Sequence, residues 1–351
     1  MNQVLYQKYR PQDFNEVYGQ EHITTILEKT LESGNFSHAY LFEGPRGTGK
    51  TSVARIVAKK LKCAPEDVIE IDAASNRKVE HARNLRESVR NLPFRSERKV
   101  YIIDEVHMLT SEAFNTLLKT IEEPPAHTLF ILATTEPHKI PETIRSRCEI
   151  FQFKRPGLAT LKSMVEKIAE KEGITLETGV SEMVSFLGDG SFRDTQTVLQ
   201  KLISYVRAKK ENVVSLEEAE SFLRLPSMQL IYTLLNSLAE ENGEEAIETI
   251  QRAKEAEFDA QLFTKILIQS LRKILQLRFS PSLGKKIKNE EGEENYLFLK
   301  KLAGERNMLR ADFLKTLLEN QRLFQTSQDP YIPLELAILH FFDKKEGAES
   351  E

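Results

Sequence analysis

Cysteine is nearly missing: the 351-residue chain holds two, Cys63 and Cys148. That pair makes neither a disulfide framework nor a metal cluster, and such sparing use fits a reducing, cytoplasmic setting. The seven histidines are scattered without ligand spacing. Long apolar runs are missing as well. No stretch approaches the roughly 20 residues of a membrane span, so no membrane partner is expected. Met1–Arg10 has no apolar core followed by a cleavage site, which argues against a signal peptide. Net charge is small, −4, so any contact with nucleic acid must come from a local patch. What is present is ordinary: 29% charged and 40% apolar residues, a globular balance. The length exceeds one usual core and implies about two or three domains.

Against that background one stretch stands out: Gly44, Pro45, Arg46, Gly47, Thr48, Gly49, Lys50, Thr51, followed by Ser52. Glycines permit a wrapped loop whose N–H groups converge on an anion, and a following helix adds its positive end. Lys50 supplies a mobile charge for the outer phosphates and Thr51 a hydroxyl for Mg²⁺. The flanks match. His38–Glu43 reads as a short buried strand, and Thr51–Lys62 as a helix with Val53, Ile56, Val57 and Leu61 on one face. This loop is expected to bind a nucleoside triphosphate.

Further strands are expected over Val68–Asp72, Lys99–His107, Thr128–Thr135 and Glu149–Phe153, with helices between them. The third ends in paired carboxylates. Asp104 there can help hold Mg²⁺ and its waters, and Glu105 can orient or deprotonate an attacking water. The fourth ends in Thr134 and Thr135 at the edge where phosphates would sit, since ligands lie at the carboxyl ends of parallel strands. These hydroxyls also suit plain strand-end capping. Arg147 fits an ordinary surface ion pair and equally a finger offered to a neighbour's nucleotide. Near the N-terminus, backbone around Val17 and Tyr18 suits an adenine pocket or a simple cap on the domain.

Between Arg77 and Lys99 stand eight basic residues (Arg77, Lys78, Arg83, Arg86, Arg90, Arg95, Arg98, Lys99) against Glu80, Glu87 and Glu97. A solvated helix face and a phosphate-backbone track both fit this run. From Pro156 to about Leu225 the strands stop and helices follow, broken at Gly188-Asp-Gly190. Met228–Phe342 is again helical, with Leu234, Leu235 and Leu238 on one face and Phe263, Leu267, Leu271 and Ile274 on another. Lys285–Glu294 reads as a charged loop and Lys344–Glu351 as a polar, disordered tail.

Taken together, Lys8-Tyr9-Arg10-Pro11, Gly44–Thr51, Ile69–Ser75, Tyr101–Leu109, Leu117–Pro125, Leu132–Thr135, Ser146-Arg147-Cys148 and Gly190–Asp194 resemble a known family. It is the bacterial DNA polymerase III gamma/tau subunit, the AAA+ ATPase of the clamp loader. The resemblance covers residues 4–225 well and the remainder mainly by helical character. It implies an α/β parallel-sheet AAA+ domain over residues 1–156, a helical lid over 157–225, a helical collar for oligomerisation over 226–343, and a tail over 344–351. It implies ATP and Mg²⁺ as ligands, with Tyr9, Arg10, Pro11, Val17 and Tyr18 beside the phosphate loop at the nucleotide.

By the same resemblance Thr135 is a sensor near the γ-phosphate, Arg193 a second sensor reaching from the lid, and Arg147 the finger acting in trans. Asn76, Arg77 and Lys78, with Lys119, correspond to contacts with the DNA backbone. The implied partners are delta, delta-prime and further gamma subunits, the sliding clamp and primer-template DNA within the DNA polymerase III holoenzyme. One departure stands out. The family's four-cysteine zinc module between the first helix and second strand is replaced by Lys62–Val68 with Cys63 alone, so no zinc is expected. The length fits a gamma form or a shortened tau form. A branch-migration or recombination ATPase of the same class, and a non-catalytic scaffold subunit, are the competing readings; the intact Lys50, Thr51, Asp104 and Glu105 weigh against the scaffold.

Overall fold

A computed structural model of the chain describes residues 3–75, 88–304 and 309–348. The chain divides into two compact units, Met1–Leu216 and Glu217–Glu351.

Five parallel strands carry the first unit: β1 (Ala39–Glu43), β2 (Val68–Asp72), β3 (Lys99–Asp104), β4 (Thr128–Thr134) and β5 (Glu149–Gln152). Their order is β2-β3-β4-β1-β5, with Leu41 opposite both Leu132 and Ile150, and Ile103 opposite Leu132. β1 and β4 are buried along their whole lengths, which is why they read as unbroken apolar runs rather than alternating ones.

Strand alternation sends side chains to two cores. Tyr40, Phe42, Ile102 and Ile131 pack with Ile23 and Leu27 of α2 (Glu21–Glu32) and Val53, Ile56 and Val57 of α3 (Lys50–Lys60). Leu41, Tyr101, Ile103 and Phe130 pack oppositely with Phe114, Leu117 and Ile121 of α4 (Ser111–Glu122) and Ile144 of α5 (Glu142–Arg145). Each such buried side chain contributes about 1.5–3 kcal/mol, so the sheet is held rigidly where its strand ends meet the ligand edge. Ahead of the sheet lies the one-turn helix α1 (Leu5–Lys8).

Helices α6 (Leu158–Lys171), α7 (Val180–Leu187) and α8 (Phe192–Ala208) follow, and the unit boundary falls where α9 (Leu216–Phe222) begins. The strands do not stop at Pro156 as the sequence suggested. β6 (Thr175–Leu176) pairs in parallel with β7 (Val213–Val214). Two residues per strand are too few to show a period of two. The break before α8 is as expected, with Asp189 at φ 50 and Gly190 at φ 72.

The second unit is helical: α10 (Met228–Ala239), α11 (Gly243–Glu255), α12 (Ala260–Phe279), α13 (Gly284–Glu291), α14 (Glu293–Gly304), α15 (Ala311–Asn320) and α16 (Ile332–Ala348). Leu234, Leu235, Leu238, Phe263, Leu267, Leu271 and Ile274 share its core. Ser227, Asn242 and Asp259 cap the first three helices by accepting backbone N–H bonds from three residues on. Two expectations fail here. The charged stretch 285–294 forms most of α13 and the start of α14, split at Gly292 with φ 80, and the supposed tail continues α16 to Ala348. Lys, Glu and Ala are strong helix formers, so polarity alone misled.

Candidate functional site

The phosphate loop leaves β1 and enters α3, the 11-residue helix it opens. Gly49 precedes α3 at φ 102, and Gly47 stands at φ 73, a region L side chains avoid. Gly47 is needed for a second reason. A Cβ there would lie 2.0 Å from Ser191 Oγ, because the loop and the start of α8 touch, and Phe192 N donates to Gly47 O at 2.9 Å. Ser191 itself caps α8, accepting from Asp194 N at 3.2 Å. The loop and this helical segment are thus joined by backbone.

Lys50 Nζ donates to Gly44 O at 2.8 Å and Pro45 O at 2.9 Å, while Thr48 Oγ1 donates to Pro45 O at 2.9 Å. Burial lowers the Lys50 ammonium's pKa, and the charges of Glu105 and Asp104 oppose that shift. A buried cation beside a positive-φ loop at a helix N-terminus is the donor set a polyphosphate requires. The residues present fit a nucleotide. Arg46 is exposed and Ser52 is half-buried on the first turn of α3.

At the end of β3, Thr51 Oγ1 donates to Asp104 Oδ2 at 2.7 Å, uniting the two residues expected at Mg²⁺. Asp104 Oδ1 accepts the Glu105 N–H at 2.9 Å. Glu105 lies outside the strand predicted to reach His107: β3 stops at Asp104 and Glu105 adopts φ 48, ψ 44. A non-glycine residue there costs about 1–3 kcal/mol and marks a place where geometry serves the site. Its carboxylate is turned to Thr135, whose Oγ1 donates to Glu105 Oε2 at 2.9 Å. β4 ends at Thr134, one residue short of the predicted limit.

The structure therefore gathers Lys50, Thr51, Asp104, Glu105 and Thr135 into one network. Other candidates lie apart from it. Arg147 Nη2 pairs with Glu122 Oε1 at 2.8 Å, and its Nη1 donates to Thr143 O at 2.7 Å. The Arg193 guanidinium stacks on Tyr6, 4.8 Å from the ring centre. Tyr9 donates to Glu172 Oε1 at 2.7 Å, and Arg10 and Pro11 are half-buried in the following loop. Val17 is buried, and the Tyr18 ring lies 6.5 Å from Phe192 with the Lys167 ammonium over it. Lys119 is exposed on α4. Asn76, Arg77 and Lys78 lie outside the described residues, as do Arg83 and Arg86 of the basic run.

Sequence reasoning missed four participants. His107 sits between Glu105 and Glu136 with its side chain only 5% exposed. Glu43, the last residue of β1, is buried against Arg145 of α5, two positions before Arg147; Arg145 Nη1 lies 3.2 Å from Glu43 Oε1. Burial raises the Glu43 pKa, and the Arg145 charge lowers it only in part. The only available hint was position: His107 ends the Asp-Glu-Val-His run, and Glu43 is a charge inside an otherwise apolar strand. The two cysteines take no part, burial pushing Cys148 up to about 12 and Cys63 up to about 11.

A family described as "DNA polymerase III, delta subunit" has a sequence model that matches residues 19–77 and 64–157. The DNA polymerase III subunit tau of Bacillus subtilis (strain 168) is 42% identical over 302 residues, covering 80% of this chain and 53% of that protein. This chain thus spans about half the length of that relative. The DNA polymerase III subunit gamma of Buchnera aphidicola subsp. Baizongia pistaciae is 33% identical over 363 residues, covering 97% of this chain and 96% of that one. Among solved structures, the Thermotoga maritima RuvB Holliday junction branch migration motor superposes with a TM-score of 0.53 at 22% identity, over 65% of this chain and 79% of that one. That likeness establishes the AAA+ fold. Together with the phosphate loop, the Asp-Glu strand end and the threonine of β4, these matches settle the lineage: the chain belongs to the DNA polymerase III gamma/tau subunit family.

Proposed function

We propose that the chain is an ATPase subunit of a replicative clamp loader, coupling ATP binding and hydrolysis to the placement of a ring-shaped sliding clamp on primed DNA. The observation that carries this reading is the Lys50, Thr51, Asp104, Glu105 and Thr135 network at the strand ends of a gamma/tau family member. ATP lies with its phosphates in the loop from Gly44 to Thr51. Thr51, and Asp104 through water, would hold Mg²⁺, which when bound supplies positive charge to the phosphate oxygens. Lys50 leaves its carbonyl partners for the outer phosphate oxygens. Glu105 orients the attacking water and takes its proton, and Thr135 steadies that carboxylate.

Completion of the site requires the neighbouring subunit. Arg147 exchanges Glu122 for the transition-state charge on the adjacent subunit's ATP, and Arg193 leaves Tyr6 for the γ-phosphate of its own. ATP then favours a spiral of delta, delta-prime and gamma subunits that holds an open clamp, and primer-template DNA triggers hydrolysis and release in the bacterial cytoplasm. Asn76, Arg77, Lys78 and Lys119 are the backbone contacts in this reading. The test is the ATPase rate of the assembled subunits with and without primed DNA and clamp. Slow basal turnover that rises when both are added is expected. An unresponsive rate overturns clamp loading.

A further inference from the structure

We infer that Glu136 and His107 are positioning residues for Glu105: Glu136 selects the imidazole tautomer that leaves the Glu105 carboxylate to its water. The inference rests on the ATPase reading above. It starts from hydrogen-bond arithmetic around one buried ring. His107 Nδ1 lies 3.0 Å from Thr134 Oγ1, and Nε2 lies 3.2 Å from Glu136 Oε1. Thr134 Oγ1 already accepts the Glu136 N–H at 3.0 Å, so its own proton is free to be given to Nδ1.

The Glu136 side has one polarity only. A hydrogen bond from the Lys139 ammonium, 2.9 Å away, holds the Glu136 carboxyl below the usual carboxylate range. An ionised carboxylate accepts and cannot donate, so Nε2 must carry the proton. A neutral imidazole has a single N–H; Nδ1 is therefore bare and accepts from Thr134. Both contacts demand the same tautomer.

The consequence falls on Glu105. Its Oε2 lies 3.4 Å from Nδ1, within reach of a proton if one were there. The opposite tautomer would donate to this oxygen, draw the carboxylate toward the ring and weaken it as a base. With the Nε2–H tautomer enforced, the donor to Glu105 Oε2 is the Thr135 hydroxyl, and the bare Nδ1 lone pair disfavours collapse of the carboxylate onto the ring. The φ 48 backbone fixes where the Glu105 side chain starts, and the Thr134, His107 and Glu136 chain controls where it points.

Two measurements decide it. Histidine-¹⁵N NMR of the full chain, with His107 assigned through loss of its signals in His107→Gln, should report an Nε2–H tautomer; an Nδ1–H ring overturns the inference without any activity assay. In the assembled subunits, Glu136→Ala should lower kcat about tenfold with the KM for ATP changed less than twofold, the low end of what partners of a catalytic group contribute. Glu136→Gln, which keeps an accepting oxygen, should restore most of the rate. Hydrolysis unchanged in Glu136→Ala overturns the inference alone, as does a loss confined to KM. Subunits that bind ATP without hydrolysing it overturn the ATPase reading and this inference with it.

Discussion

Glu172 shows how a single buried side chain ties distant parts of the first unit together. It accepts from Lys8 at 2.5 Å, from Tyr9 at 2.7 Å and from Arg207 at 2.7 Å, with its side chain 4% exposed. Burial alone would raise its pKa, but these three donors outweigh burial and hold the carboxyl at about 2. The linkage has a definite sign. A depressed folded pKa contributes stability above the unfolded value, and that stability is lost as pH falls from about 4.5 toward 2. Glu172→Gln should therefore cost about 1–2 kcal/mol at pH 7, discounted because Lys8 and Arg207 are half exposed, and almost nothing near pH 2. Urea unfolding of both proteins across that range measures it; a cost independent of pH would refute the donor cluster. The Lys8-Tyr9-Arg10-Pro11 stretch was legible as a family signature, but its attachment to α6 and α8 was not. Partners some 160 positions apart leave no local pattern.

At the scale of elements, the short helix α5 connects the start of the phosphate loop to the arginine offered outward. Arg145 reaches back to Glu43 at the end of β1, and Arg147 follows on the same turn. Glu43 Oε1 lacks an aligned hydrogen bond, so Arg145 acts on it chiefly through charge. Arg145→Ala should leave this buried carboxylate uncompensated, destabilising the first unit by about 1–3 kcal/mol at pH 7. Because the Glu43 pKa is already raised, protonation relieves the loss in mild acid. Adding Glu43→Gln should restore most of the stability, and a double-mutant cycle with no coupling would contradict the strut.

Elements with strong periodicity were readable in advance: β1 to β5, α3, α4 and α8 fall within one or two residues of their sequence limits. The stretches at 285–294 and 344–348 were not, because charge was taken for disorder where helix propensity decided. Glu105 was legible as a residue and not as a conformation, since no propensity anticipates φ 48 after a strand.

For the molecule as a whole, the account joins a nucleotide site complete in every group but one to an arginine held at the surface by Glu122. The gamma/tau lineage supplies the setting, and the two-subunit site is the central claim. Its most direct test mixes two variants in the assembled complex. Lys50→Ala cannot grip ATP yet still presents Arg147; Arg147→Ala grips ATP and presents no finger. Each alone should hydrolyse at least about 10³-fold more slowly than the unsubstituted assembly. Their mixture should recover a substantial fraction of the rate, because Arg147 of one subunit then completes the loop of the next. A mixture no faster than the mean of its components would contradict the claim.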